Sequence, residues 1–572
     1  MSAIRAVLFI SSIVLLLSSS FVTVHAIATP DSLSQLSQQV SEDDLLQLLE
    51  DQPEESAADL WESLTLKKYQ SHLRARISDL TEQDYAAHLL RAYTIIDQYR
   101  VGALIQRDVS EPDMIDLWRV AVETDLSGAR VIIGDFRVDQ QLGWTVASSP
   151  VWASSTDAMS PLRRPHESIR MNLSSEEGWG WRGLALTKAV DENDLDLRLD
   201  LWGGYSEFDA TQDSDDLTYK PFATQGDHTP DRDSYIKTVT AYHAGAYMES
   251  ELPLNLGKTS VCGTLTRFDN PLSPVINNAR FRFADDSFSA VGIGHRWTDS
   301  ADKLQLHSEV TVQNGDAWGG SVVATNRLGG HARVIANVWR ATQSFSTFHA
   351  RPSLAFGSDP AGITGTMLAG VFDFPLGVAS TGAALDWTET DSVHLQSEFR
   401  RSIFVRLKTY QVQNVITDLS LRYRSDQLTL DRVENSFFAR ALLRHDQTRS
   451  RVDLRVDSAF NNSGSATGIT LGTRQSIAAY LRCHFTLSIV TESGSGAVIT
   501  LVEPAGLGVF PIRRVSGELV SGVCRVDLLP LKQIRIWVIG RVDHRLYAEV
   551  EGTNPTLYTL SLGLEWRDFL HW

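Results

Sequence analysis

From about Arg130 onward, apolar residues fall at every second position in short runs separated by turn or loop clusters. Leu195, Leu197, Leu199 and Leu201 alternate with Asp196, Arg198 and Asp200, and Val452, Leu454 and Val456 alternate with Asp453, Arg455 and Asp457. Val393–Phe399, Val415–Tyr423 and Ile534–Val542 repeat the pattern. A period of two is that of a pleated strand with one apolar and one polar face. A single run fits a soluble sheet equally well; the number of runs favours a large closed sheet. The final run is the most informative. Tyr558, Leu560, Leu562, Leu564 and Trp566 form an apolar face, with Trp572 at the end of the sequence. An apolar strand face rimmed by Tyr and Trp suits lipid, so these residues are assigned to a barrel-closing strand.

Connections are uneven. Asp191-Glu192-Asn193-Asp194 and Ser425-Asp426-Gln427 suit tight hairpins, whereas Glu207–Asp233 is a long polar stretch. Short turns at one end and long loops at the other are expected of an outer-membrane barrel. The predicted fold is mainly β: a large antiparallel transmembrane β-barrel of roughly 16–22 strands, given about ten residues per strand. A small N-terminal α-helical domain precedes it. Ser41-Glu42-Asp43-Asp44 and Thr81-Glu82-Gln83-Asp84 read as capping boxes, and Tyr69, Leu73, Ile77 and Leu80 recur at helical spacing.

The domain reading is therefore residues 1–28 an export signal, 29–110 an acidic helical domain in the periplasm, 111–177 a connecting and barrel-entry segment, and 178–572 the barrel. Arg5, the apolar run Ala6–Leu17 and the small residues Ala26-Ile27-Ala28 carry the signal assignment. The run is too short to span a bilayer as a helix. A mean hydropathy of −0.13 looks soluble, as a barrel does when half its strand residues face water.

Charge and chemistry narrow the function. The chain carries a formal charge of −18, and residues Pro30–Gln98 hold 14 Asp and Glu against 5 Lys and Arg. Both facts argue against nucleic acid as a partner, because phosphate binding needs clustered basic residues. Cys262, Cys483 and Cys524 match no metal spacing and receive no function. The Asp-rich stretch with Asp209, Asp213, Asp215 and Asp216 fits no cation-loop motif. The sequence contains no nucleophile elbow, phosphate loop or zinc-protease motif, so no catalytic residue, cofactor or metal is expected and the chain is read as a non-enzyme. On the strands' polar face Asp and Arg are mixed, which predicts ion pairing within a lumen of weak selectivity.

Gly134-Asp135-Phe136-Arg137-Val138, Gly143, Ser160-Pro161-Leu162-Arg163-Arg164, Ser174-Ser175-Glu176 and Trp181-Arg182-Gly183-Leu184-Ala185 resemble an outer-membrane barrel family of Bacteroidota and related bacteria. That family carries helix-hairpin-helix units ahead of the barrel. The resemblance marks Gly134, Asp135, Arg137, Gly143, Arg182 and Gly183 as motif residues of unassigned role. Two departures stand out: Gln140-Gln141-Leu142-Gly143 replaces a Phe-Gly-Gln-Gly-like stretch, and Leu64-Thr65-Leu66 offers no hairpin glycine to receive a phosphate. The leading expectation is a pore, scaffold or envelope-complex component. Its partners would be outer-membrane lipid, the barrel-assembly machinery and a periplasmic protein touching Trp61 and Tyr69. A DNA-uptake component and a secreted soluble glycan-binding protein or hydrolase are the alternatives.

Overall fold

In the computed structural model the described residues lie between 69 and 567. Several loop segments are left out, the longest being 149–167 and 222–238. The expected signal, Trp61, the Ser41 run and Trp572 lie outside the described residues.

The chain forms one 27-stranded sheet and a separate two-stranded hairpin, Ile499–Val502 with Ile512–Val515. Three short strands, Ser168–Met171, Ala210–Gln212 and Tyr219–Pro221, lie at the ends of longer ones. The remaining 24 make a closed antiparallel wall. Closure is direct: Thr556–Arg567 pairs with Ile534–Arg545 on one side and with the first strand, Tyr69–Ser78, on the other. The strand assigned to closure is therefore the one that joins the two ends of the sheet.

The helical expectation fails over residues 69–107, which form the strands Tyr69–Ser78, Ala87–Ile96 and Tyr99–Arg107. Residues 111–177, expected to connect, supply Leu117–Leu126 and Ala129–Asp139 to the wall. The physical reason is arithmetic. Tyr69, Leu73 and Ile77 are four apart, and four is close to one helical turn and also twice the strand period. The barrel thus starts well before residue 178, and the extra strands carry the count past 22. Ser425-Asp426-Gln427 is likewise not a turn; it ends the strand Val415–Gln427.

Exposure along the wall is inverted relative to a soluble protein. Ile293 (59 % exposed), Leu184, Val310, Val322 and Leu368 face outward, while Glu309, Thr311, Asp200 and Asp527 are buried inside. The strand Leu304–Gln313 shows it compactly: Glu309, Thr311 and Gln313 point into the barrel and Val310 and Val312 point out. A soluble fold would lose the benefit of burying that apolar surface and would leave charges inside. In a bilayer both placements are favourable, and closure leaves no unpaired sheet edge in hydrocarbon. Ile293→Lys is expected to destabilise the bilayer-inserted barrel by about 2–4 kcal/mol. Urea titration in liposomes reads the effect, and a neutral result there would argue for an aqueous exterior.

Large rings fill the interior. Trp202, Trp339 and Trp537 are each paired with a glycine on the next strand, Gly245, Gly365 and Gly563, and the indole lies over it. A side chain at any of these glycines would occupy the indole's place. Aromatic cover over a strand glycine restores packing that the missing side chain forgoes.

All connections at one end are short, such as residues 127–128, 193–194 and 375–376. Those at the other end include 140–180, 209–238, 342–362 and 495–518. Among the described residues, the segments that fold into the lumen come from this second end.

Candidate functional site

The motif residues meet where the chain leaves the wall. Along Ala129–Asp139, pairing with Leu117–Leu126 stops at Ala121 opposite Gly134. Gly134 has φ +107, and a Cβ there would lie 2.0 Å from the Val120 carbonyl oxygen. Only glycine tolerates that backbone and that approach. The next residue takes over the lost ladder bond: the Val120 amide donates to the Asp135 carboxylate at 2.8 Å. Arg182, directly opposite Asp135 on Trp181–Glu192, donates to the same carboxylate at 3.2 Å and to the Trp118 carbonyl at 2.8 Å. Its guanidinium stacks 3.6 Å above the Trp118 ring. Gly183 sits opposite Gly134, and a Cβ there would reach 2.1 Å from the Gly203 carbonyl oxygen. Gly134, Asp135, Arg182 and Gly183 therefore form one structural clasp.

Beyond the clasp the chain turns inward. Arg137 is fully buried and donates from Nε to Asn172 Oδ1 at 2.8 Å. Gly143 has φ +78, and its amide donates to the Gln140 carbonyl at 3.0 Å, so Gln140-Gln141-Leu142-Gly143 closes a turn with a single glycine. Residues 140–148 then cross to distant parts of the wall. Gln140 donates to Asp200 at 2.8 Å. Glu309 accepts from the Trp144 amide (3.2 Å), the Thr145 amide (2.8 Å) and the Thr145 hydroxyl (2.8 Å). The Trp144 indole donates to Ser321 Oγ at 2.7 Å and meets Phe345 edge-on.

Residues 342–351 fold in beside it and complete a strap. The Ala147 amide donates to the His349 carbonyl (2.6 Å), and the Arg351 amide donates to the Gly143 carbonyl (3.0 Å). Gln313 and Ser346 exchange two hydrogen bonds. Phe348 packs among Phe208, Phe268, Phe281, Phe283 and Phe288. The strap thus lies against the inner face of the arc between Trp181 and Thr388. Its sequence has no period of two, which is why alternation did not reveal it.

His349 is the strap's titratable anchor. Its Nε2 shares a 2.7 Å hydrogen bond with Thr266, whose hydroxyl also meets His243 Nδ1 at 2.9 Å. Trp181, Phe288 and Phe348 surround the ring. Burial first, then His243 and Arg280, push its pKa well below the ordinary imidazole value. A depressed basic pKa means that the docked strap excludes a proton that the undocked strap accepts. Docking is thus fully favoured above about pH 6.5 and weakens as pH falls below it. The protection of amides in residues 140–148 and 342–351, relative to their intrinsic exchange rate at each pH, is expected to fall as pH drops from 7 to 5, with His349→Phe removing the contribution of this histidine.

The rest of the lumen is lined with ion pairs. Arg406 meets Asp418 at 2.6 Å. Asp457 lies between Arg440 (2.8 Å) and Arg455. Asp527 lies between Arg525 (3.0 Å), Arg535 (3.2 Å) and His484 (3.4 Å). Asp200 and Asp457, on the polar faces of their alternating runs, are buried inside the barrel, as is Glu565 on the closing strand. Of the proposed partner contacts, Tyr69 belongs to the first wall strand, opposite Ile96, rather than to a helix.

No family model matches the chain, and no curated protein does. Solved structures do. A mutant ferric enterobactin receptor (PfeA) from Pseudomonas aeruginosa aligns with TM-score 0.45 and 6 % identity over 87 % of this chain and 80 % of its own. The siderophore receptor PirA from Acinetobacter baumannii aligns with TM-score 0.44 and 8 % identity, covering 88 % and 81 %. The translocation pore of the P pilus usher PapC aligns with TM-score 0.36 and 9 % identity, covering 87 % and 99 %.

Proposed function

We propose that this protein is an integral outer-membrane barrel that passes small solutes through the part of its lumen beside the strap. The observation that carries the reading is the inverted wall: apolar residues such as Ile293 and Leu184 outside, and paired charges such as Arg406–Asp418 inside. Side chains of that kind at a lumen face hold water rather than a dry core. The short turns would face the periplasm and the long loops, including both halves of the strap, the cell exterior. The strap would act as a built-in partial plug, fastened at the Gly134–Asp135–Arg182 clasp.

Planar-bilayer recording on purified full-length protein tests this. Folded barrel, identified by a heat-dependent shift on gels, is expected to give discrete current steps. Folded, inserted protein that gives no current would sink the pore reading and leave a scaffold.

A further inference from the structure

Charge is divided unevenly around the lumen. Lumen positions follow from alternation against the exposed apolar face, as where Ile403 and Val405 point out and Phe404 and Arg406 point in. On the strands from Phe399 to Arg545, fifteen Arg and Lys occupy lumen positions against nine Asp and Glu. On the strands from Trp181 to Thr388, five face eight among the described residues. The whole chain has a formal charge of −18, so the basic excess of the first arc runs against composition.

Pairing does not cancel the excess. Asp457 is shared by Arg440 and Arg455, and Asp527 by Arg525 and Arg535, so each group holds two guanidiniums on one carboxylate. On the opposite arc the acids have another use. Asp200 and Glu309 accept hydrogen bonds from the strap. The strap therefore covers the acidic arc, while among the described residues the basic arc carries the hairpin Ile499–Val502 with Ile512–Val515, whose Ile499, Leu501 and Val515 pack near Ala466, Val490 and Leu519.

We propose that the arc from Phe399 to Arg545 is an anion path, favouring solutes that carry carboxylate, phosphate or similar groups. A net positive strip on a low-dielectric wall concentrates anions and repels cations. Guanidinium groups also match carboxylate and phosphate oxygens in geometry. This inference rests on the pore reading above.

The test is the reversal potential of the reconstituted full-length protein under a tenfold KCl gradient. Chloride is expected to be favoured over potassium. Lys408→Glu with Arg545→Glu alters two exposed positions at opposite ends of the arc, and is expected to lower the chloride-to-potassium permeability ratio at least about twofold. If the double variant gives no heat-shifted folded band, Lys408→Gln alone carries the test, with a smaller change in the same direction. Current that favours potassium, or a ratio unmoved by these substitutions, overturns the anion path and leaves the pore standing. Absence of any current from inserted wild-type protein overturns both.

Discussion

Glu309→Ala is expected to release the strap. The carboxylate accepts two backbone amides and one hydroxyl from Trp144 and Thr145, all buried. Bonds to a charged acceptor contribute about 1.5–3 kcal/mol each, and amides left buried without a partner add a desolvation cost. Allowing for water entering the vacated site, docking should weaken by about 4 kcal/mol, nearly a thousandfold in the docked-to-undocked ratio. Amides of residues 140–148 should exchange much faster, and single-channel conductance should rise. Glu309→Gln also removes the charge but keeps an acceptor, so it should lie between wild type and alanine. That ordering separates loss of the anchor from loss of a lumen charge. If exchange in the strap were unchanged in the alanine variant, Glu309 would not be what holds it.

Gly134→Ala should prevent the barrel from assembling. The added methyl would meet the Val120 carbonyl oxygen at 2.0 Å, and because a Cβ has no rotamer and the oxygen is backbone, no side-chain change relieves it. The residue would also be held at φ +107, a conformation that costs a non-glycine residue about 1–3 kcal/mol before the clash is counted. Relief would require Ala129–Asp139 to slide against Leu117–Leu126, which moves Asp135 away from the Val120 amide. The expected result is loss of the heat-shifted folded band after refolding into detergent. Asp135→Asn keeps an acceptor for Val120 and loses only the charge opposite Arg182, so it should still fold. Equal yields for wild type and Gly134→Ala would show that the clasp is dispensable.

The two variants mark where sequence reading stops. Gly134, Asp135, Arg182 and Gly183 are recognisable as a motif, but their role depends on register: Gly134 faces Gly183 and Asp135 faces Arg182 only once the strands are paired. Glu309 and Trp144 lie 165 residues apart, and no local pattern links them. The strand Tyr69–Ser78 reads equally well as a helix in the sequence, because Tyr69, Leu73 and Ile77 are four apart and a spacing of four satisfies both periods. The lumen charges were visible as a mixture of Asp and Arg. Their separation into a basic and an acidic arc was not, since it depends on where each strand falls around a closed wall.

Sequence alone determined the type of wall: period-two alternation requires strands with one apolar and one polar face, and the run Tyr558–Trp566 indicated a strand suited to lipid. Those features are local, set within each strand by the alternation of side chains. Tertiary structure decided the number of strands, the entry of residues 140–148 and 342–351 into the lumen, and the side of the barrel left basic. Those outcomes depend on contacts between residues far apart in the chain, from Glu309 with Trp144 to the pairing of Tyr69–Ser78 with Thr556–Arg567 that brings the two ends of the sheet together.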